Sequence, residues 1–240
     1  MKLQVEISRG GNMKSHLLAG ASALIFSTLA SSAYAADVQA AEVMPAQNLW
    51  YVSLFGGASF PQDVKTDYFD GQFDLDLDTG FVIGATVGRR INDTFRVEGE
   101  LSYARYKAGS ATYSWGGYVY APDPASGDLS ATYLLANVWA DLAHFGQATV
   151  YAGGGIGAAY VTADTQFDGR PFGYGKGEWG FAGQLGAGVT YAVAQNIDLD
   201  FGYRFKAVSD IDFNDNFGGD PYTGGNLYSH NLQLGITAKF

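Results

Sequence analysis

Glu98 and Glu100 stand two residues apart, and Asp198, Asp200, Arg204 and Lys206 repeat that even spacing a hundred residues later. Residues two apart on an extended chain share a face, so each set presents acids and bases together. Such a face can form a packed ion-pair network or line a narrow ion path. Two histidines invite a different reading. His144 follows Asp141 by three residues, and His230 follows Ser229 directly. An acid, an imidazole and a hydroxyl are the parts of nucleophilic catalysis, but the base must reach the nucleophile. On a strand, neighbours such as Ser229 and His230 point to opposite faces, and no serine is well placed near His144. Catalysis is therefore not expected.

Acids and aromatics make up the remaining candidates. Asp63, Asp67, Asp70, Asp74, Asp76 and Asp78 crowd the segment 61–78 against Lys65 alone, and Asp210, Asp212, Asp215 and Asp220 lie in 209–226 with no base. Oxygen clusters suit divalent cations, although a solvated, self-repelling surface is the plainer expectation. Asp210-x-Asp212-x-Asn214 starts like a calcium loop. Asp215 then stands where glycine is required and Pro221 where glutamate is required, so that motif fails. No metal or cofactor is expected. Tyr113, Trp115, Tyr118 and Tyr120 occupy a stretch without charge between Lys107 and Asp123. Exposed Tyr and Trp are typical contact anchors; the same residues could instead extend two strands as an aromatic hairpin.

The elements that would carry these residues are strands. Alternation bounded by turn residues picks out eight segments, at 50–60, 73–90, 95–107, 129–142, 149–164, 178–193, 197–208 and 228–240. One face of each is apolar. Trp50, Val52 and Leu54 form it in the first segment, and Phe73, Leu75, Leu77, Phe81, Ile83 and Val87 in the second. The links alternate in length: short at 91–94, 143–148 and 194–196, long at 61–72, 108–128, 165–177 and 209–226. Transmembrane barrels have short periplasmic turns and longer external loops. The expected fold is therefore all-β, an eight-stranded antiparallel up-and-down transmembrane β-barrel over 50–240. Its charged faces point inward and its aromatic and aliphatic faces meet lipid.

The amino terminus reads as a leader. Met13 and Lys14 precede an apolar run from Leu17 to Ala30, and Ala33-Tyr34-Ala35 is a processing site. Residues 1–35 are expected to be a signal peptide with an upstream extension before a true start at Met13, and 36–49 a short periplasmic segment. The alternative, a spanning anchor at 17–35, is short for a crossing helix. Cysteine is absent from the 240 residues. Lys2, Arg9, Lys14 and Glu6 leave with the leader, taking the net charge from −10 to −12. So acidic a chain has no basic patch for phosphates, and nucleic acid is not an expected partner.

The strand motifs carry a resemblance. They are Tyr51-Val52-Ser53-Leu54-Phe55-Gly56-Gly57, Gly80-Phe81-Val82-Ile83-Gly84 with Gly88, and Arg96-Val97-Glu98-Gly99-Glu100-Leu101-Ser102-Tyr103. Ala136-Asn137-Val138 with Asp141, Tyr151-Ala152-Gly153-Gly154-Gly155-Ile156-Gly157 and Gly202-Tyr203-Arg204-Phe205 follow in order. Together they resemble the OmpA-like, opacity-type outer-membrane β-barrel family, which includes small porin-family proteins of Gram-negative bacteria. The resemblance implies residence in the outer membrane and a structural, non-enzymatic role. It also implies adhesion or ligand binding through the four long links, with Tyr113, Trp115, Tyr118 and Tyr120 as contact candidates. Outer-membrane lipid, lipopolysaccharide, the barrel-assembly machinery and a host or surface ligand are the implied partners, and Phe240 is the expected assembly signal. A lumen this narrow would be filled by side chains, here including Arg96, Glu98, Glu100, Asn137, Asp141, Gln184, Asp200 and Arg204. A small low-conductance channel is the alternative. A lipid A-modifying enzyme is less expected, because lipid A deacylases place serine two residues after histidine, where this chain has Leu232.

Overall fold

In the computed structural model, the described residues are 50–68, 71–167, 170–172, 177–213 and 222–240. The expected leader at 1–35, the start at Met13 and the segment 36–49 lie outside them, as do Asp70, Asp215 and Asp220. Within them run β1 (Trp50–Pro61), β2 (Val64–Tyr68), β3 (Gly71–Leu77), β4 (Gly80–Arg90), β5 (Phe95–Trp115) and β6 (Tyr118–Val119). They are followed by β7 (Asp123–Phe145), β8 (Ala148–Phe167), β9 (Arg170–Phe172), β10 (Glu178–Ala194), β11 (Ile197–Phe213) and β12 (Tyr222–Lys239).

Eight strands close a ring. Neighbours in space run β1, β4, β5, β7, β8, β10, β11 and β12, and β12 pairs back onto β1. Every pairing is antiparallel. The seam joins the first and last strands, where Phe240 N donates to Trp50 O at 2.9 Å and Trp50 N to Phe240 O at 3.2 Å. Closure leaves no unpaired strand edge in the ring, as a hydrocarbon solvent requires.

The outer face is a belt of exposed aliphatic and aromatic side chains. Leu54, Leu101, Leu134, Ile156, Phe181 and Leu234 contribute to it, and Leu185 is 67% exposed. A monomer surrounded by water does not carry so continuous an apolar surface; a bilayer is its natural solvent. At one end of the ring the turns are tight. Gly146, with φ of +63°, turns β7 into β8, a conformation in which a Cβ is strained. Asn92 Oδ1 accepts from the backbone N–H groups of Thr94 and Phe95 at 2.9 and 2.7 Å and so caps the β4–β5 turn.

At the other end the strands overshoot. β5, β7 and β8 contain 21, 23 and 20 residues, whereas crossing the bilayer takes about 9–11. Much of what the sequence reading assigned to long loops is therefore strand, continuing the ring into water. β1 and β4 are likewise prolonged by β2 and β3, which pair with each other and connect to β12 and β5.

One expectation is overturned here. Leu75 and Leu77 do not share the lipid-facing side with Phe81, Ile83 and Val87. They are buried inside the ring, while those three are exposed. The strand is interrupted at Asp78–Thr79: Leu77 pairs with Ala108 but Phe81 with Arg105, so this side of the pair carries one extra residue. A one-residue slip inverts every later side chain. Asp76 and Asp78 are exposed. The side chain of Phe73 lies outside the described residues.

Candidate functional site

Lumen residues come from strands on opposite sides of the ring. β5 and β11 are diametrically opposed, yet Lys206 Nζ on β11 donates to Glu100 Oε1 on β5 at 2.6 Å and to Ser102 Oγ at 2.8 Å. Side chains this long can meet across a barrel only when their neighbours are small; a Cβ at Gly155 would strike the side-chain oxygen of Asn137. Glu100 also accepts from Ser102 Oγ at 2.7 Å, Asn137 Nδ2 at 3.0 Å and Gln184 Nε2 at 2.6 Å. Its acceptor capacity is thereby filled. With Lys206 1% exposed and Glu100 4%, the pair is a crossbar that occupies the lumen.

Nearer the tight turns, aromatic rings organise the charges. Glu98 accepts from Tyr51 Oη at 2.8 Å and Trp139 Nε1 at 2.7 Å. Arg204 lies 4.2 Å from the centroid of the Trp139 ring and donates to Tyr151 Oη at 2.7 Å; Tyr151 in turn donates to Asp200 Oδ1 at 2.9 Å. Arg96 lies 4.4 Å from the Tyr151 centroid and 3.4 Å, through Nε, from Asp141 Oδ1, and Asp141 also accepts from Arg90 at 2.7 Å. A cavity of about 40 Å³ remains among Thr86, Arg96, Arg204 and Gln233. That is room for roughly two or three waters, and Thr86 Oγ1 and Gln233 Nε2 have no partner within the protein to replace them.

All eight side chains named from the sequence for the lumen thus fall in this one layer. Lys206, read from the sequence on the same charged face as Arg204, supplies the crossbar. Trp139 and Tyr151, which form the stacking floor, were not named for the lumen. Alternation could have found Trp139, which lies between Asn137 and Asp141 on their own face.

On the outer side of the crossbar the lumen changes character. Tyr106 and Tyr133 lie over it, with Lys206 Nζ 4.5 Å from the Tyr133 centroid. Past them Val64, Leu75, Ala111, Leu129, Ile211 and Leu227 are buried together in one apolar cluster. Val64 and Leu75 come from the β2–β3 hairpin, which forms the wall between β12 and β5 at this level, and the cluster they join closes the lumen as an apolar roof.

From this roof a second hairpin projects, made of β5 and β6. Ser114 pairs with Val119 and Trp115 with Tyr118, and Tyr120 N donates to Tyr113 O at 2.9 Å. In that register Tyr113, Trp115, Tyr118 and Tyr120 share one face. Tyr113 packs on the apolar cluster and stacks on Tyr120 with centroids 5.8 Å apart. Trp115, Tyr118 and Tyr120 are 52%, 75% and 52% exposed.

The histidines sit apart from both regions. Ser229 is buried on the lumen side, near Asn231. His230 points the other way, with Nδ1 2.6 Å from Tyr203 Oη and Nε2 3.1 Å from Gln62. His144 lies at an exposed turn, 2.9 Å from Thr149 Oγ1. Among the described residues no three His, Cys, Asp or Glu side chains are grouped to hold a metal ion.

Comparison with known proteins agrees with this architecture. The family described as outer membrane protein beta-barrel domain matches residues 21–240. An uncharacterised protein of Brucella abortus is 31% identical over 183 residues, 67% of this chain and 58% of its own length. The chain thus spans somewhat more than half of that curated relative. A candidate adhesin of Rickettsia bellii is 28% identical over 203 residues, 78% of this chain and 86% of the relative. Among solved structures, Neisserial surface protein A is similar with a TM-score of 0.46 and 23% identity, over 80% of this chain and 97% of that one.

Proposed function

This chain belongs to the outer membrane protein beta-barrel domain family, and from that premise we propose that it is a non-enzymatic, closed barrel that serves the envelope structurally and attaches to a host or surface ligand through its outer end. The observation that carries the reading is the filled lumen. The Glu100–Lys206 crossbar and the apolar roof stand in series, so the surface available for function is the external one. The exposed hairpin of β5 and β6 is its most protein-like contact surface, since Tyr and Trp supply large rigid area at small entropic cost. A relative named as a candidate adhesin supports the same reading. Opposite orientations of Ser229 and His230 count against a lipid A-modifying enzyme.

In this reading Phe240, 62% exposed beside the β1–β12 seam, is the signal met by the barrel-assembly machinery. Outer-membrane lipid, including lipopolysaccharide, surrounds the apolar belt. The test is attachment of cells that display the barrel. Replacing 112–120 by a glycine–serine linker of equal length is expected to lower attachment to the level of cells lacking the protein, with the heat-modifiable band on gels unchanged. Unchanged attachment would overturn the reading. The small-channel alternative is answered separately: the intact barrel in a planar bilayer is expected to show no discrete conductance steps.

A further inference from the structure

We propose that the aromatic face of the β5–β6 hairpin binds a lysine- or arginine-bearing segment of a partner protein. This rests on the reading of the hairpin as the attachment surface and names the chemistry it selects.

The first argument comes from the barrel itself. Three rings of its interior are matched with a cation: Trp139 with Arg204, Tyr151 with Arg96, and Tyr133 with Lys206, at 4.2, 4.4 and 4.5 Å. Ring faces attract cations through their quadrupole. Among the described residues, no cation of the chain lies over Tyr113, Trp115, Tyr118 or Tyr120. The stretch 108–122 contains no charged residue at all.

The second argument is charge. Asp123 pairs with the buried Ala111, which places it on the aromatic side of the ribbon, and it is exposed. Asp63, Asp76, Asp78 and Asp164 are exposed around the same outer end, with no ion pair among the described residues. Of the nearby bases, Lys65 is taken by Asp74 at 3.6 Å and Arg105 by Asp128 at 2.6 Å, while Lys107 is exposed without an ion pair among the described residues and is outnumbered by these carboxylates. A polyanion would be repelled by this surface. A neutral sugar could stack on the rings and donate a hydroxyl to Asp123, but it would gain no charge attraction from the surrounding carboxylates. A cationic side chain satisfies both features at once.

The probe is a labelled peptide alternating glycine and arginine, with lysine, glutamine and glutamate counterparts, titrated against the barrel purified from outer membranes into nanodiscs. The arginine and lysine peptides are expected to bind, and the glutamine and glutamate peptides at least about tenfold more weakly. Joint Trp115→Ala and Tyr118→Ala substitution is expected to lower arginine-peptide affinity about tenfold, and Asp123→Asn by a smaller factor. Both sites are exposed, so the heat-modifiable band should persist. The proposal is overturned if the arginine peptide does not bind, if the glutamine peptide binds as well, or if affinity survives loss of both rings and falls only with Asp63, Asp76 and Asp78. If it fails while attachment still depends on 112–120, the hairpin remains the attachment surface and only the cationic chemistry is wrong. Loss of both removes the surface as well.

Discussion

The lumen has two storeys filled by opposite chemistries, although the same strands build both. β5 contributes Glu100 and Ser102 below and Ala108 and Ala111 above; β11 contributes Arg204 and Lys206 below and Val208 and Ile211 above. The lower storey is surrounded by lipid. There the apolar residues must face outward, and the polar ones can be buried only by satisfying one another, as around Glu100. The upper storey is surrounded by water, and the usual arrangement of a soluble protein returns, with apolar side chains inside and Asp76, Asp78 and Lys107 outside. The inward parity changes between β3 and β4 at Asp78–Thr79, on β5 between Ala108 and Ala111, and on β11 between Val208 and Ile211. On β12 no slip is needed: the inward face simply changes from Asn231 and Ser229 to Leu227. The solvent outside the ring, not the strand, decides what fills it.

The largest effect should come from splitting the lower storey. Lys206→Met leaves the Glu100 carboxylate buried without its cation, at a cost of about 3–5 kcal/mol, read as a lower denaturant midpoint of the refolded barrel. Adding Glu100→Gln to Lys206→Met is expected to recover most of that loss. A double variant as unstable as the single one would show that the crossbar is not an electrostatic unit.

Next comes the roof. Leu75→Ala should cost about 2–3 kcal/mol, at the low end for a buried leucine because a hairpin can settle into the space. Hydrogen exchange should rise in β2 and β3 and stay unchanged around Glu100. Exchange spreading to the lower storey would mean that the two regions are not separate. Single-channel recording sharpens the same point, since Lys206→Met should remain closed beneath an intact roof.

The smallest effect concerns the outer rim. Partial shielding from water, and then the Asp76 carboxylate facing it, raise the pKa of the largely exposed Asp63. Its proton is therefore bound more tightly in the folded state, and the ionised form destabilises that state. Stability is lost as pH rises from the ordinary carboxylate value through the raised one. Asp63→Asn should slightly increase protection of the β2–β3 hairpin at neutral pH and make no difference in strong acid. An equal gain at both pH values would assign the effect to packing.

The ring and the lower storey were legible because lipid forces a strict period of two. Glu98 and Glu100, or Asp200 and Arg204, cannot face hydrocarbon, so their alternation identifies both the strand and its inner side. The roof was not legible. Leu75 and Leu77 alternate in step with acids just as Phe81 and Ile83 alternate with small residues, and nothing local marks the slip at Asp78–Thr79 that separates them. Equally, residues 113–120 are aromatic in sequence, but only the pairing of Trp115 with Tyr118 puts four rings on one face. Sequence by itself determined the number and order of the eight ring strands and which face of their lipid-crossing parts turns inward, because each follows from solvent and a short-range period. Tertiary structure alone decided which residues meet across the lumen, where the faces invert and what the outer end presents. Those depend on register between strands distant in the chain, and a single inserted residue is enough to change it.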